Sequence, residues 1–357
     1  MFVRVQEATS DADREEIYRF RYRVYVEELK KPLPFADQER RIFTDELDEH
    51  ARLLVAYDEN AGTIVGTVRT IFGAEHPFPE DLVDRLSMGP MIRALGQDQI
   101  SHSGIFMVDP AHRGLTIASQ LVAHMFQLGL TVGAAVDVCV AELALVRPYY
   151  QLGYRPYAAP QRPYANAGLR VPLVWTGRDR GYLASVGSPF AQFLSPDLED
   201  GGAAADSLRP HYSEFRNPSV TPRKLKELWS AIAHSSPAFR PRSLFEGVER
   251  EVVDSLLDKM PTLTITTGEQ FYRKGERERG MGLLLSGKLG VTLDETPDPF
   301  FFAVLVPGEL FGEMANVLDG GRTANLVALE DSEILILPDN LLEKIGRKQP
   351  AVADVVR

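Results

Sequence analysis

Two side chains set nine residues apart, Glu313 and Arg322, carry the most distinctive chemistry of this chain. They lie in the stretch from Phe311-Gly312-Glu313-Met314-Ala315 to Gly321-Arg322-Thr323-Ala324. A carboxylate there can accept from a sugar hydroxyl and a guanidinium can fork onto a phosphate. Free backbone N–H groups at a short helix can cradle the same anion. A second set lies upstream, from Phe106-Met107-Val108 through His112-Arg113-Gly114-Leu115-Thr116-Ile117-Ala118-Ser119. It reads as strand, turn and helix. The N–H groups of residues 114–119 open a helix N-terminus suited to a diphosphate, and His112 and Arg113 add donors at its mouth. Further on, Glu142 ends an apolar strand and can act as a base or, more plainly, as a cap.

These groups need scaffolds, and the periodicity supplies two. Through residue 175 strands alternate with helices. Strands are expected over 2–7, 51–57, 63–71, 103–108, 136–140 and 170–175, and helices over 11–29, 115–131 and 143–152, the first capped by Ser10 or Asp11. This is an α/β block. Residues 187–242 are rich in Gly, Pro and Ala and read as a linker. One helix is expected inside it, with Thr221 as N-cap and Pro222 at the first helical position, running past Trp229 to about His234. From about residue 244 a short helix over 250–259 leads into short strands separated by glycines, the pattern of a β-barrel or jelly roll, closed by a helix over 339–347. The expected class is mixed α and β, with domains at 1–186 and 243–357 joined by the linker at 187–242.

Bulk properties narrow the options. The 357 residues suffice for two cores, and a formal net charge of −11 argues against a nonspecific nucleic-acid binder. The lone cysteine, Cys139, sits in an apolar run and reads as a buried inert thiol. The N-terminus opens as a strand without a signal-peptide pattern, and no apolar stretch reaches the roughly 20 residues of a membrane span. A cytoplasmic protein is expected. The seven histidines are scattered without metal-ligand spacing, so no metal is expected.

The stretch 311–324 resembles the phosphate-binding cassette of cyclic-nucleotide-binding domains, and Gly268-Glu269, Lys274-Gly275-Glu276 and Leu285-Ser286-Gly287-Lys288-Leu289 resemble that family's landmarks. The resemblance implies a jelly roll that binds cAMP, with cGMP as the alternative, through Phe311, Gly312, Glu313, Met314, Ala315, Arg322, Thr323 and Ala324. Asn316 and Gly321 depart from the family pattern without removing a ligand contact. Because the sequence reaches Arg357 soon after the closing helix, no helix-turn-helix domain is expected behind the cassette.

Arg113 through Ala118 resembles the pyrophosphate motif of the GNAT acyltransferase superfamily, with Thr116 where its first glycine is usual, and Tyr149-Tyr150-Gln151-Leu152-Gly153-Tyr154 resembles its acyl-pocket motif. The match implies an acyl donor, either acyl-CoA or acyl-acyl-carrier protein, held by Phe106, Met107, Val108, Arg113, Gly114, Leu115, Thr116, Ile117, Ala118 and Ser119. It places Tyr149 near the thioester sulfur as proton donor to the leaving thiolate. Tyr18 to Glu28, Asp45 to Asp48 and Val65 to Arg69 resemble autoinducer synthases and N-acyl amino acid synthases, which puts Arg23, Asp45, Asp48 and Arg69 on the side of a small amine acceptor. The Glu-x-x-Arg of the autoinducer synthases is absent, since His102-Ser103-Gly104-Ile105 stands there. The plainer alternatives are Arg19, Arg21 and Arg23 as a solvated helix face, 45–49 as a solvated acidic turn, and Tyr149 as a packing aromatic. Together these readings imply an acyltransferase under cyclic-nucleotide control. A cAMP-regulated protein-lysine acetyltransferase and a non-catalytic binding protein are the rivals.

Overall fold

The computed structural model describes residues 2–31, 33, 36–113, 115–158, 160–161, 168–177, 179–193, 220–222, 249, 251, 260–277, 280–294, 296, 299–312 and 321–337. The chain divides into two compact units. The first comprises Met1–Val140, Tyr149–Ala158 and Pro172–Arg216, and the second comprises Ala141–Pro148, Ala159–Val171 and Asn217–Arg357.

The first unit is built on a seven-stranded sheet of order β1-β2-β3-β4-β5-β7-β6. Its strands are β1 (Val3–Glu7), β2 (Arg52–Asp58), β3 (Thr63–Phe72), β4 (Ile100–Val108), β5 (Val136–Glu142), β6 (Arg155–Pro156) and β7 (Arg170–Thr176). β1 through β4 pair antiparallel, whereas β4 and β5 run parallel. Helices α1 (Asp11–Tyr22), α2 (Glu80–Arg85) and α3 (Gly89–Leu95) lie on one sheet face. Ile17, Phe20, Leu82 and Met91 join Leu53, Val55, Ile71, Ile100 and Val138 there in one buried cluster. The other face belongs to α4 (Leu115–Val132). It approaches so closely that a Cβ on Gly66 would stand 3.0 Å from both Ile117 and Leu121, so glycine sets the helix–sheet distance. Two further short helices follow, α5 (Val146–Leu152) and α6 (Arg180–Ser185).

Ser10 caps α1 with a full capping box to Asp13, as the sequence suggests. The helical run continues from Arg23 to Glu28 as a π-helix, a wider winding that resets which residues face inward.

The second unit holds two antiparallel sheets, in agreement with the expected β-barrel. Strands β8 (Val220–Pro222), β9 (Pro261–Ile265), β11 (Met281–Ser286), β14 (Leu310–Phe311) and β16 (Ser332–Leu337) form one in the order β14-β11-β16-β9-β8. β10 (Gln270–Tyr272), β12 (Leu289–Thr292), β13 (Ala303–Leu305) and β15 (Asn325–Ala328) form the other, in the order β10-β15-β12-β13. One expectation fails here. Thr221 and Pro222 do not open a helix; they pair with Thr262 and Pro261 as the edge strand β8. Proline is tolerated at such an edge, and Val-Thr favours extended backbone. The rest of the expected linker helix, the expected helices over 250–259 and 339–347, and most of the linker lie outside the described residues.

Candidate functional site

β4 and β5 determine the first site. Their parallel ladder holds only from Ile100↔Val136 to His102↔Val138, and beyond that pair no register joins them. The same strand is interrupted on its other side. Thr67 faces Met107 and Arg69 faces Gly104, so Ile105 and Phe106 together oppose Val68. This is a β-bulge, and it leaves one residue of β4 without a ladder partner. Ile105 sits there at φ 46°, a left-handed conformation that costs a β-branched side chain of order 1–3 kcal/mol. An interrupted strand beside an opened pair offers backbone N–H groups to a carbonyl lying in the gap, as an oxyanion donor does.

The loop after β4 leads into α4. Asp109 accepts from Ala111 N at 3.0 Å and His112 Nδ1 stands 3.2 Å from its carboxylate, which shapes the turn. Arg113 donates to Glu28 at 2.6 Å. Phe106 and Val108 are half-buried and Met107 is buried. On α4, Thr116 is exposed and Ser119 half-buried, Ser119 Oγ donates to Thr116 O at 3.0 Å, and Ile117 is buried. Ala118 is half-buried. Gly114 and the Leu115 side chain lie outside the described residues.

On the sheet face covered by α1, four charged side chains meet. Arg21, fully buried, donates to both carboxylate oxygens of Asp48 at 2.8 and 2.9 Å. Arg69 stands 3.5 Å from Asp48 and donates to Asp45. Asp45 caps the turn Glu46–His50 and Asp48 answers in a reciprocal capping box, with Thr44 Oγ1 donating to it at 2.9 Å. Burial pushes the Asp48 carboxyl upward, yet Arg21 and Arg69 outweigh it and hold the group below its ordinary range. Burial, opposed by Asp48, lowers Arg21. Two cations and two anions thus share one largely dry site. Arg23 stays outside it, half exposed, 3.4 Å from Asp109 and over the Phe20 ring. Arg21, the solvated alternative in the sequence, is the residue that goes inside.

The opposite sheet face carries a second polar cluster, unforeseen in the sequence. Asp137 Oδ1 accepts from Ser101 Oγ and Ser103 Oγ and its Oδ2 from Tyr154 OH, all at 2.7 Å. Burial pushes its carboxyl up to about 6 against the pull of the three hydroxyls. A raised acid is protonated more readily in the fold than in the unfolded chain, so this group's contribution falls as pH rises from about 4 through about 6. Asp137→Asn is therefore expected to raise stability by about 3 kcal/mol at pH 8 and to leave it unchanged near pH 4. Thermal melts of both proteins across that range check it; a gap that widens toward acid contradicts the assignment. Tyr149 on α5 is half-buried and packs edge-on against Tyr154, centroids 5.3 Å apart. Glu142, at the end of β5, is paired with Arg170 at 3.5 Å. Cys139 is buried, and burial raises its thiol well above the ordinary range.

In the second unit Arg322 is 5% exposed and tightly held. Its Nη1 donates to Gly312 O and its Nη2 to Gly280 O, both at 2.8 Å, and the guanidinium lies 3.6 Å from the centroid of the Tyr272 ring. Its Nε has no partner among the described residues. Phe311 packs edge-on against Phe271 and Tyr272. Gly312, at φ 88°, lies so close that a Cβ there would stand 2.7 Å from Arg322 Nη1. Thr323 is exposed and Ala324 half-buried. Glu313, Met314 and Ala315 lie outside the described residues.

Comparison with known proteins bears on both units. Residues 20–123 match the family model of the acetyltransferase (GNAT) domain, and residues 262–349 match that of the cyclic nucleotide-binding domain. The chain carries both domains. Over 111 residues it is 33% identical to the cyclic AMP receptor protein of Thermus thermophilus, covering 31% of this chain and 51% of that protein. Over 141 residues it is 28% identical to the cyclic nucleotide-gated channel alpha-4 of Mus musculus, covering 38% of this chain and 24% of the channel. The chain thus spans about half the length of the first relative and about a quarter of the second. Among solved structures, the Thermus thermophilus catabolite activator protein aligns at 32% identity with a TM-score of 0.29, covering 33% of this chain and 55% of that one. A Lactobacillus plantarum chain provisionally named an N-acetyltransferase aligns at 18% identity and a TM-score of 0.36, covering 49% and 97%.

Within the GNAT domain the structure gathers Asp45, Asp48 and Arg69 and adds Arg21. It places Phe106 in the bulge with Met107 and Val108 paired just beyond it, Arg113 on the loop, and Leu115 to Ser119 on α4. In the nucleotide-binding domain, Gly312 and Arg322 meet through a hydrogen bond. Among the described residues no group of three His, Cys, Asp or Glu is placed to hold a metal ion, and no helix is long and apolar enough to cross a membrane.

Proposed function

We propose that this chain is an acyltransferase that moves an acyl group from a CoA or acyl-carrier-protein thioester to the amine of an amino-acid-like acceptor, with a cyclic nucleotide on the second domain setting its activity. The observation that carries the reading is the bulged, opened end of β4, with the buried Arg21–Asp48–Arg69–Asp45 group on the adjoining sheet face. The gap accepts a thioester carbonyl, the loop and α4 take the donor's diphosphate, and the charge cluster offers a cation to an acceptor's carboxylate. The amine nitrogen bonds to the carbonyl carbon, the carbon–sulfur bond breaks with its electron pair leaving on sulfur, and Tyr149 supplies the thiolate with a proton. Glu142 serves as a base in this reading only after parting from Arg170. Cyclic AMP, or cGMP in its place, binds around Glu313 and Arg322 and shifts activity by favouring one arrangement of the protein over another.

The test incubates the full chain with acetyl-CoA and palmitoyl-CoA and a mixture of the common amino acids, reading free thiol and amide product. It is run with and without saturating cAMP or cGMP. Turnover that changes with nucleotide supports the whole reading. Equal turnover removes the regulatory half, and no thiol release with either donor, bare or nucleotide-bound, removes the catalytic half.

A further inference from the structure

His102 is the last residue of β4 whose ladder to β5 is intact. It is 5% exposed, and its Nδ1 stands 2.9 Å from the carbonyl oxygen of Val138. A carbonyl only accepts, so Nδ1 carries the proton and Nε2 presents its lone pair. That lone pair has no hydrogen-bond partner among the described residues. Its neighbour on the same sheet face is Gly104, where a Cβ would lie 3.6 Å from His102 Nε2 and 3.9 Å from Arg69 Nη2. The missing side chain leaves a notch with an imidazole on one side and a guanidinium on the other. The next residues along the strand are the bulge itself. The ring is buried, yet Nε2 is not among the fully enclosed unpaired atoms of the described residues, so this nitrogen is the part of the ring that solvent reaches. Here one nitrogen is fixed by the backbone and the other is left facing the open end of the strand pair.

Resting on the acyl-transfer reading, we propose that His102 Nε2 is the base that takes the proton from the acceptor's amine, while Arg69 beside it holds the acceptor's carboxylate. A neutral amine forms the carbon–nitrogen bond to the thioester carbonyl, and the proton it then sheds moves to Nε2. The carbon–sulfur bond breaks, sulfur leaves with the electron pair, and the thiolate gains a proton from Tyr149. His102 returns its proton to solvent and Tyr149 regains one, so the net change is one proton moved from nitrogen to sulfur. The charged groups whose fields reach the ring are Arg69 on β3 and Arg85 at the end of α2; burial first, then these cations, lower its pKa to about 4. The ring is therefore neutral through the physiological range. Once bonded to the former carbonyl carbon the nitrogen carries a positive charge beside electron-withdrawing oxygen and sulfur, so it is more acidic than a free ammonium and gives up its proton to Nε2 more readily.

Two measurements on the full chain decide it. Long-range proton–nitrogen NMR of histidine-labelled protein is expected to show His102 with Nδ1 protonated, Nε2 bare, and no protonation above pH 5. A ring protonated at Nε2, or titrating near 6.5, overturns the proposal without reference to any substrate. His102→Asn keeps a donor for Val138 and removes the base. With acetyl-CoA or palmitoyl-CoA and mixed amino acids it is expected to lose on the order of 100- to 1,000-fold in kcat, with donor KM and cAMP affinity unchanged. Wild-type turnover matched by the variant refutes His102 as base and leaves the acyl-transfer reading standing. Absence of wild-type turnover with both donors defeats that reading, and this proposal with it.

Discussion

Asp48→Ala is expected to cost about 3–5 kcal/mol and to lower the melting temperature of the GNAT domain by roughly 10 °C. The carboxylate accepts from both Arg21 and Thr44, and from the backbone N–H of Asp45 at 3.0 Å. Its removal strands Arg21, a fully buried cation whose Nε and Nη2 already lack partners. Arg69 is less affected, since Asp45 still faces it. Restoring a charge balance by removing the cation too gives the decisive comparison. In Arg21→Met with Asp48→Leu the buried pair becomes apolar at similar volume, and most of the loss is expected to return, because a buried ion pair seldom outperforms well-packed hydrocarbon. Denaturant melts of the two single variants and the double variant measure this. A single Asp48→Ala melt within about 2 °C of wild type would contradict the described burial. The restored double variant is also expected to remain inactive, which separates holding the fold from receiving the acceptor.

Arg322→Ala is expected to weaken cAMP and cGMP binding by about 100-fold or more, read by isothermal titration. The guanidinium is held in place by two backbone carbonyls and the face of Tyr272. An anion then meets a cation whose ordering cost has been met by the fold. Lysine does not replace it, since a single ammonium cannot satisfy both carbonyls and still present a fork to a phosphate. The substitution also leaves the carbonyls of Gly280 and Gly312 unpaired, at about 1–3 kcal/mol, so ligand-free stability must be measured beside affinity. Unchanged affinity in a folded Arg322→Ala protein would remove the cassette from the binding site.

Most strands and the longer helices up to Trp175 were legible because their periodicity is local, and the Ser10 cap because its partner, Asp13, is three residues away. The barrel was legible from glycine spacing and from the stretch around Arg322. What was hidden is long-range. Arg19, Arg21 and Arg23 look alike on one helix; only Asp48, brought in by a turn after the helix, and the π-winding from Arg23 onward decide which one is buried. Thr221-Pro222 carries a sound helix-start signal, but β9 offers the backbone a partner 40 residues later, which no local pattern reveals. Asp137 is a lone polar residue in an apolar run and His102 sits in the polar stretch Ser101-His102-Ser103, and the partners that matter come from other strands. Gly104 beside the bulge hints at an irregular strand, but the left-handed residue is Ile105, and its strain appears only once β3 sets the register. The helices α2 and α3 are too short for periodicity to register.

One arrangement in the sheet reaches beyond the site. Asp137 pairs with Ser101, and His102 pairs with Val138, so an acid and a base occupy neighbouring ladder positions on opposite faces. Between about pH 4 and 6 the folded acid holds a proton that its unfolded form releases, while the folded base lacks a proton that its unfolded form binds. Unfolding therefore hands a proton from one to the other with no net exchange at this pair, and the calorimetric unfolding heat gains nothing from them that depends on the buffer's own ionisation enthalpy. Their two contributions to the pH dependence of folding stability cancel between about pH 4 and 6, and the cancellation lifts once one member is removed.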